Sequence, residues 1–209
     1  GVSMTGIMDN KYTNGKLGDL PSLLEELKAE AVKVNKELAT KLGINQSVAI
    51  TCVKPSGTVS QLVDAASGIH ARHNPYYIRT VRGDKKDPLT NFMIDKGFPA
   101  EDDAMNPSQT VVFSFPVKVD KGAVFRTDMT AIEQLEMWLI YQKHWCEHKP
   151  SVTISVKEHE WMDVGAWTYN NFDYMSGVSF LPFSDHTYKQ APYQDTDEAG
   201  YKELLKIMP

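Results

Sequence analysis

The chain has 209 residues, of which 22 are basic and 27 acidic, and its formal net charge is −5. Its hydrophobic fraction of 42% is that of an ordinary globular core, and no apolar run of about eighteen residues predicts a membrane helix. The negative charge excludes a general attraction to nucleic acid or to anionic membranes, so a nucleotide ligand would need a local site. The opening residues lack the charged and apolar regions of a signal peptide, which makes the cytoplasm the default location.

Both ends of the chain indicate a fragment of a longer protein. The sequence starts with G-V-S-M-T-G-I, without an initiator Met and already in a strand-like pattern, and it stops at Pro209 directly after a helical pattern. After the opening strand, apolar spacing predicts a long amphipathic helix over residues 21–42. Ser22 with Glu25 fits a capping box at the start of this helix, and Gly43 fits its C-terminal stop.

The most informative segment covers residues 47–63, S-V-A-I-T-C-V-K-P-S-G-T-V-S-Q-L-V. A β-branched run is broken by Pro55 and Gly57, and Thr58 or Ser60 can open the helix that follows. Such a turn presents backbone N–H groups at a helix N-terminus, where the helix dipole favours an anionic phosphate without any Lys. An ordinary turn between a strand and a helix is the alternative, because the motif is shorter than a full phosphate-binding loop.

The rest of the chain alternates strand-like and helical patterns. Aromatic and β-branched runs predict strands over residues 75–82, 110–115, 151–156 and 178–181. Apolar spacing predicts helices over residues 88–96, 158–174 and 198–208, and a helix that a second capping box opens at Thr130 and Glu133. The alternation predicts an α/β fold with helices outside a largely parallel sheet or barrel. No linker or repeat is evident, so residues 1–209 are predicted to form a single unit.

The histidines and cysteines, which often bind metals or act in catalysis, predict no such site in this chain. The histidines form two pairs, and neither pair predicts a metal site. His70 and His73 have no Cys or carboxylate at ligand spacing nearby. His144 and His148 are spaced i, i+4 on a helix, but Lys143 and Trp145 flank His144, so no metalloprotease motif results. The two cysteines, Cys52 and Cys146, supply neither a disulfide framework nor a Cys-x-x-Cys pair. Neither cysteine has a basic neighbour in sequence that would clearly activate it, so no catalytic residue is predicted in this chain.

Several segments, in order along the chain, closely resemble one enzyme family, the monomeric adenosylcobalamin-dependent (class II) ribonucleotide reductases. The segments that carry the resemblance are the opening G-V-S-M-T-G-I, V-K-P-S-G-T-V-S (residues 53–60), S-G-I-H (67–70), P-Y-Y-I-R (75–79), S-V-T-I-S-V (151–156) and G-V-S-F-L-P (177–182). Together they cover essentially the whole chain and resemble the C-terminal half of that family. An ordered set of motifs is much more specific than the turn at residues 55–60 alone.

The resemblance implies the C-terminal part of a ten-stranded α/β barrel. It also implies an enzyme that uses adenosylcobalamin to make a cysteine thiyl radical and converts ribonucleotides to deoxyribonucleotides for DNA synthesis. Triphosphates are the expected substrates, and a thioredoxin-like dithiol is the expected reductant. Neither Cys52 nor Cys146 lies in a motif that matches the family's radical or reducing cysteines, so the complete catalytic apparatus is expected to need an N-terminal part.

The resemblance also assigns a role to the turn after Pro55. In the family, this turn and the helix start that follows hold the substrate phosphates, which carries over to Ser56, Gly57, Thr58, Val59 and Ser60. The resemblance does not assign the family's cobalamin contacts to particular residues of this chain, and the allosteric nucleotide site is not recognisable in it. A non-catalytic fragment that docks to a separate N-terminal half is the alternative function.

Overall fold

The structure, a computed structural model, describes residues 1–119, 122–183 and 189–209. It divides into two compact units, of which the first comprises Gly1–Arg72 and Gly122–Phe183 and the second the remaining described residues. That residues 1–209 act as a single unit of a longer barrel stays a prediction. Among the described residues, no helix has both the length and the apolar character that crossing a membrane requires.

The first unit is built from two parallel strand pairs and the helices that connect them. Its elements are β1 (Val2–Ser3), α1 (Leu20–Leu42), β2 (Thr51–Cys52), α2 (Val59–Leu62), α4 (Ala131–His144), β6 (Val152–Val156), α5 (Trp161–Asn170) and β7 (Val178–Pro182). β1 pairs with β2 and β6 pairs with β7, both in parallel. Each pair is joined through a helix, α1 or α5, which is the crossover that parallel strands need.

Helix α1 begins one residue earlier than the apolar spacing predicted. Its N-cap is Asp19, which makes no side-chain capping bond, and Ser22 lies inside the helix with its hydroxyl donating to Asp19 at 2.6 Å. The predicted capping box of Ser22 with Glu25 is therefore wrong, because the chain already turns into the helix before Pro21. The predicted stop is confirmed, since Gly43 takes the left-handed conformation (φ +67°) and its N–H bonds the carbonyls of the last turn.

Helix α4 is a main contributor to the first unit's core. The capping box is confirmed, with the Glu133 amide donating to the Thr130 hydroxyl at 3.1 Å and the Thr130 amide donating to the Glu133 carboxylate at 2.7 Å. One face of the helix is fully buried against the strands. The buried side chains from this helix and its C-cap are Ala131, Leu135, Trp138, Leu139, Tyr141 and Trp145.

The second unit is a four-stranded antiparallel sheet in the order β4-β5-β3-β8. Its elements are β3 (Tyr76–Asp84), α3 (Pro88–Asp95), β4 (Ala100–Asp102), β5 (Thr110–Lys118), β8 (Tyr193–Asp195) and α6 (Glu198–Lys206). The prediction of a largely parallel sheet is wrong for this unit. Alternating strand and helix patterns show where strands lie but not their direction, and β4 here pairs with β5 as a hairpin, which lets β5 return antiparallel along β3.

Candidate functional site

The five residues predicted to hold phosphate lie on one turn of the first unit, between β2 and α2. The predicted order of strand, turn and helix is confirmed, although the helix is a single turn over Val59–Leu62 with Thr58 as its N-cap. Gly57, Thr58 and Val59 are exposed, whereas Ser60 is fully buried. The exposed part of the turn is therefore the part that a ligand could reach.

Serine side chains fix the shape of this turn. The Ser60 amide donates to the Ser56 hydroxyl at 2.8 Å, and the Ser60 hydroxyl donates to the Ser56 carbonyl at 2.5 Å. The Ser56 amide donates to the hydroxyl of Ser67 at 2.9 Å. Since the Ser56 and Ser60 hydroxyls bond within the turn, these two residues shape it, and Gly57, Thr58 and Val59 form its outer surface.

Gly57 faces open space. A Cβ atom added to this glycine would meet no heavy atom within 4 Å, and its φ lies outside the left-handed region that favours glycine. Neither packing nor backbone strain therefore requires a glycine at this position. A missing side chain does allow close approach of a ligand to the backbone, which is the use of glycine in phosphate-binding turns.

A buried arginine, Arg72, fixes the loop that follows α2. The Arg72 guanidinium donates to the carboxylate of Asp9 at 2.9 and 3.2 Å and to that of Asp64 at 3.1 Å, while Asp9 also accepts the Ala66 amide at 2.7 Å. Burial alone would lower the pKa of Arg72, but its hydrogen bonds and ion pairs with Asp9 and Asp64 outweigh this and raise that pKa. This cluster holds the loop after α2 against the start of the chain.

The strand before the turn is held by the segment that follows α4. The Thr51 hydroxyl donates to the Trp145 carbonyl at 2.5 Å, and the Trp145 indole N–H donates to the Cys52 carbonyl at 2.8 Å. The Glu147 carboxylate accepts the Ile50 amide at 2.8 Å, and the Glu147 amide donates to the Thr51 carbonyl at 3.0 Å. The two-residue strand β2 is therefore fixed on one side by β1 and on the other by a capping segment.

A cleft of about 340 Å³ lies beside the turn. Its walls are Pro55, His70, residues 151–153 at the start of β6 and residues 176–179 at the start of β7. The lining residues are mainly small, and four of the nine bear a hydroxyl group. This volume lies near the lower end of the range for small-molecule sites, about 300–1,000 Å³.

His70 is a partly buried imidazole with a partner on each nitrogen. Its Nδ1 lies 2.9 Å from the Ser67 carbonyl, and its Nε2 accepts the Thr153 amide at 3.0 Å. A carbonyl only accepts and an amide N–H only donates, so the ring carries its proton on Nδ1 and is neutral. Burial lowers the pKa of His70, and its hydrogen bond to Ser67 opposes this only in part.

The lowered pKa of His70 predicts a loss of stability in mild acid. Unfolded chains bind a proton at the usual imidazole value near 6.5, whereas the folded chain binds it at lower pH. The contribution of His70 is therefore complete above pH 6.5 and falls as the pH drops towards the lowered pKa. Urea unfolding at several pH values should show that His70→Gln reduces the acid-induced loss. An unchanged pH dependence in His70→Gln, with exposed His159→Gln as the control, would contradict this prediction.

The cysteines are poorly suited to act as nucleophiles. Cys52 is buried, and burial followed by the proximity of Cys52 raises the pKa of the Cys146 thiol to about 12. A reactive cysteine needs a lowered pKa, because the thiolate is the nucleophile. Among the described residues, no three His, Cys, Asp or Glu side chains are grouped as a metal site requires.

Comparison with known proteins gives matches along the whole chain. A Dictyostelium discoideum protein named "Probable adenosylcobalamin-dependent ribonucleoside-triphosphate reductase" is 35% identical over 98% of this chain and 27% of its own length. The Euglena gracilis adenosylcobalamin-dependent ribonucleoside-triphosphate reductase is 31% identical over 99% of the chain and 28% of its own length. This chain is homologous to one segment of the class II ribonucleotide reductases. It spans between a quarter and a third of the length of these relatives.

A solved structure supports the same conclusion for the fold. The crystal structure of a B12-dependent class II ribonucleotide reductase matches with a TM-score of 0.82 and 24% identity, over 100% of this chain and 33% of the reductase chain. The prediction of an α/β fold that forms part of the reductase barrel is thereby confirmed. No protein-family model matches the chain.

Sequence reasoning missed the residues that support the turn. Ser67 and His70 lie in the S-G-I-H segment that contributes to the reductase resemblance, but the H-x-x-H spacing points to His70 only as a metal ligand. Neither Arg72 nor Asp9 belongs to a recognisable sequence motif. They are separated by 63 positions, and nothing local pairs a buried arginine with a distant aspartate.

Proposed function

We propose that this chain is the substrate-phosphate-binding segment of an adenosylcobalamin-dependent ribonucleoside-triphosphate reductase. The complete enzyme would convert ribonucleoside triphosphates to deoxyribonucleotides for DNA synthesis by radical chemistry. The observation that carries the proposal is the sequence match of almost all of this chain to part of reductases of this name. The structural match to part of a class II reductase supports it. The proposed place of the enzyme is the cytoplasm.

The proposed role of this segment is to position the substrate through its phosphates. The turn at Ser56, Gly57, Thr58, Val59 and Ser60 is exposed at its centre and fixed at both ends, by the serine hydrogen bonds at its start and by the Arg72 cluster after α2. Fixed backbone amides at a helix start attract an anion without needing to reorganise. Precise positioning of a substrate can remove about 7–11 kcal/mol of an activation barrier in the best cases.

The radical and reducing cysteines are proposed to lie in the rest of the protein. Cys146 has a pKa raised to about 12 by burial first and by Cys52 second, and Cys52 is itself buried. The partners proposed for the chain are therefore the N-terminal part of the barrel, which would complete the active site, and a thioredoxin-like dithiol that would reduce the enzyme after turnover.

Adenosylcobalamin supplies a carbon-centred radical when bound, but the cleft beside the turn does not fit it. A corrinoid is much larger than this cavity of about 340 Å³. We assign no residue of this chain to the cofactor. We propose, from the names of the relatives, that the complete enzyme requires adenosylcobalamin.

The direct test is adenosylcobalamin-dependent reduction of CTP with a dithiol as reductant. We expect no activity from the chain alone and activity after an N-terminal portion of a related class II reductase is added. Activity in the chain alone would show that the placement of the catalytic cysteines is wrong. Inactivity in both, with no binding of CTP, would overturn the proposed function.

Gly57→Val should weaken triphosphate binding by about 10- to 100-fold, the loss expected when one or two charge-assisted hydrogen bonds to an anion are blocked. The valine side chain would occupy the open space in front of the turn without meeting other protein atoms, so the free energy of unfolding should hardly change. Binding to the complete enzyme by calorimetry measures the effect. Gly165→Val, at another glycine with open space, is the matched control. Normal affinity in Gly57→Val would remove the phosphate assignment.

The alternative is a non-catalytic segment that docks to a separate N-terminal half. One observation favours it, because the second half of α1 exposes apolar side chains, Val34 by 40%, Leu38 by 51% and Leu42 by 68%. Exposed apolar patches commonly mark interaction surfaces. Sedimentation of the isolated chain tests this, since a monodisperse monomer with cooperative unfolding would count against a docking segment.

A further inference from the structure

A continuous series of hydrogen bonds leads from strand β6 to the turn proposed to bind phosphate. The Thr153 amide donates to His70 Nε2 at 3.0 Å, and His70 Nδ1–H donates to the Ser67 carbonyl at 2.9 Å. The Ser67 hydroxyl then accepts the Ser56 amide at 2.9 Å. His70 and Ser67 therefore connect the wall of the cleft to the first residue of the turn.

We propose that neutral His70 and Ser67 are positioning residues that hold the turn in its phosphate-binding shape, so that protonation of His70 weakens phosphate binding. This inference rests on the proposed function of the turn. It adds two residues that the phosphate motif does not include and makes substrate affinity depend on one proton.

Only the neutral ring fits between its two partners. A proton added at Nε2 would face the N–H of Thr153, which has no lone pair to accept it. The charged ring would have to rotate or withdraw from β6, and Ser67, bonded to its other nitrogen, would move with it. Because the Ser67 hydroxyl accepts the Ser56 amide, the start of the turn would then lose its anchor.

The surroundings of His70 oppose its protonation. The other cleft walls, Pro55 with residues 151–153 and 176–179, carry no titratable side chain. The adjoining segments carry Lys54, which lies 3.4 Å from His148, and Lys149, whose side chain packs against Gly177. They also carry Glu147, whose carboxylate is engaged by the amides of Ile50 and Thr51. Beyond Ser67, the charge of Arg72 is balanced by Asp9 and Asp64. No carboxylate along the cleft offsets a charge on the imidazole.

Small displacements of the turn should matter more for phosphate than for the rest of a nucleotide. Backbone amides bind an anion through directional hydrogen bonds, and a misplacement of about 1 Å can cost a large factor in positioning. A nucleoside without phosphates does not use these amides. The affinity gained from the phosphates is therefore the quantity that His70 and Ser67 should control.

The experiment compares binding of CTP and of cytidine to the complete enzyme between about pH 4.5 and about pH 7.5, a range that extends below the ordinary titration of an imidazole because the pKa of His70 is lowered. The variants are His70→Gln, which keeps an acceptor for Thr153 but does not titrate, and Ser67→Ala, which removes the acceptor for Ser56. The matched control is His159→Gln, at an exposed histidine. Comparing each variant with the wild type at the same pH cancels the ionisation of CTP itself.

We expect wild-type affinity for CTP to fall further in acid than that of His70→Gln, with cytidine affinity unchanged. Ser67→Ala should bind CTP about tenfold more weakly than the wild type at neutral pH, the cost of one to two lost hydrogen bonds. This difference should shrink in acid, where the wild type loses the same anchor. Equal pH profiles for wild type and His70→Gln, or CTP and cytidine weakened by the same factor, would overturn the inference. If the wild type bound CTP no better than cytidine at neutral pH, the proposed function itself would fail.

Discussion

Arg72→Met should lower the free energy of unfolding by about 3 kcal/mol, at the lower end of the range for breaking a buried ion pair. The Arg72 side chain is only 7% exposed and satisfies Asp9 through two of its nitrogens. Methionine would fill much of the space but leave the Asp9 carboxylate, itself 25% exposed, without its counter-charge. Urea denaturation of the chain, followed by circular dichroism, measures the change.

Lys33→Met is the control for this prediction. Lys33 pairs with Glu30 at 3.3 Å, but both side chains are more than 60% exposed, so the loss should stay below about 1 kcal/mol. A cost of Arg72→Met as small as that of the control would show that the buried cluster does not stabilise the loop after α2.

Trp145→Ala should destabilise the chain by about 3–5 kcal/mol, the usual cost of truncating a buried aromatic side chain. Trp145 is 2% exposed, and its indole N–H donates to the Cys52 carbonyl at the strand that precedes the turn. Trp145→Phe would keep most of the packing and lose the hydrogen bond, so about 1–2 kcal/mol is expected for that variant. The same denaturation measurement separates the two contributions.

Trp161→Ala is the control, because Trp161 lies at the start of α5 and is 37% exposed. This substitution should lower the free energy of unfolding by about 1 kcal/mol or less. If Trp145→Ala and Trp161→Ala lowered the free energy of unfolding equally, the segment after α4 that includes Trp145 and Glu147 would not be a principal support of β2.

Local signals in the sequence predicted the elements well. Proline at the start of α3, the Thr130–Glu133 box of α4 and the β-branched run of β6 each act within a few residues, and all three elements form where they were predicted. Of the two failures, the first is non-local and the second is local. The antiparallel direction of β5 depends on how β4 returns along the sheet, and the Ser22 box fails because Asp19 starts the helix earlier.

The candidate site follows the same division. The exposed turn at Gly57 was predicted from its sequence and from the reductase resemblance, because strand, Pro-Ser-Gly and helix start are contiguous. The residues that support the turn were not predicted from the sequence, since Thr153 lies 83 positions from His70 and Glu147 lies 97 positions from Ile50. Pairings at such separation are decided by the packing of the whole unit rather than by any local pattern.

The capping of β2 by the segment after α4 has a consequence for the order of folding. Thr51 and Trp145, which bond each other, are 94 positions apart, so that contact closes a long loop whose entropy must be overcome first. At a synthesis rate of about 5–20 residues per second, Thr51 leaves the ribosome several seconds before Trp145 exists. The turn that carries Gly57 therefore cannot adopt its final conformation until the end of α4 has been translated, and it stays exposed until then.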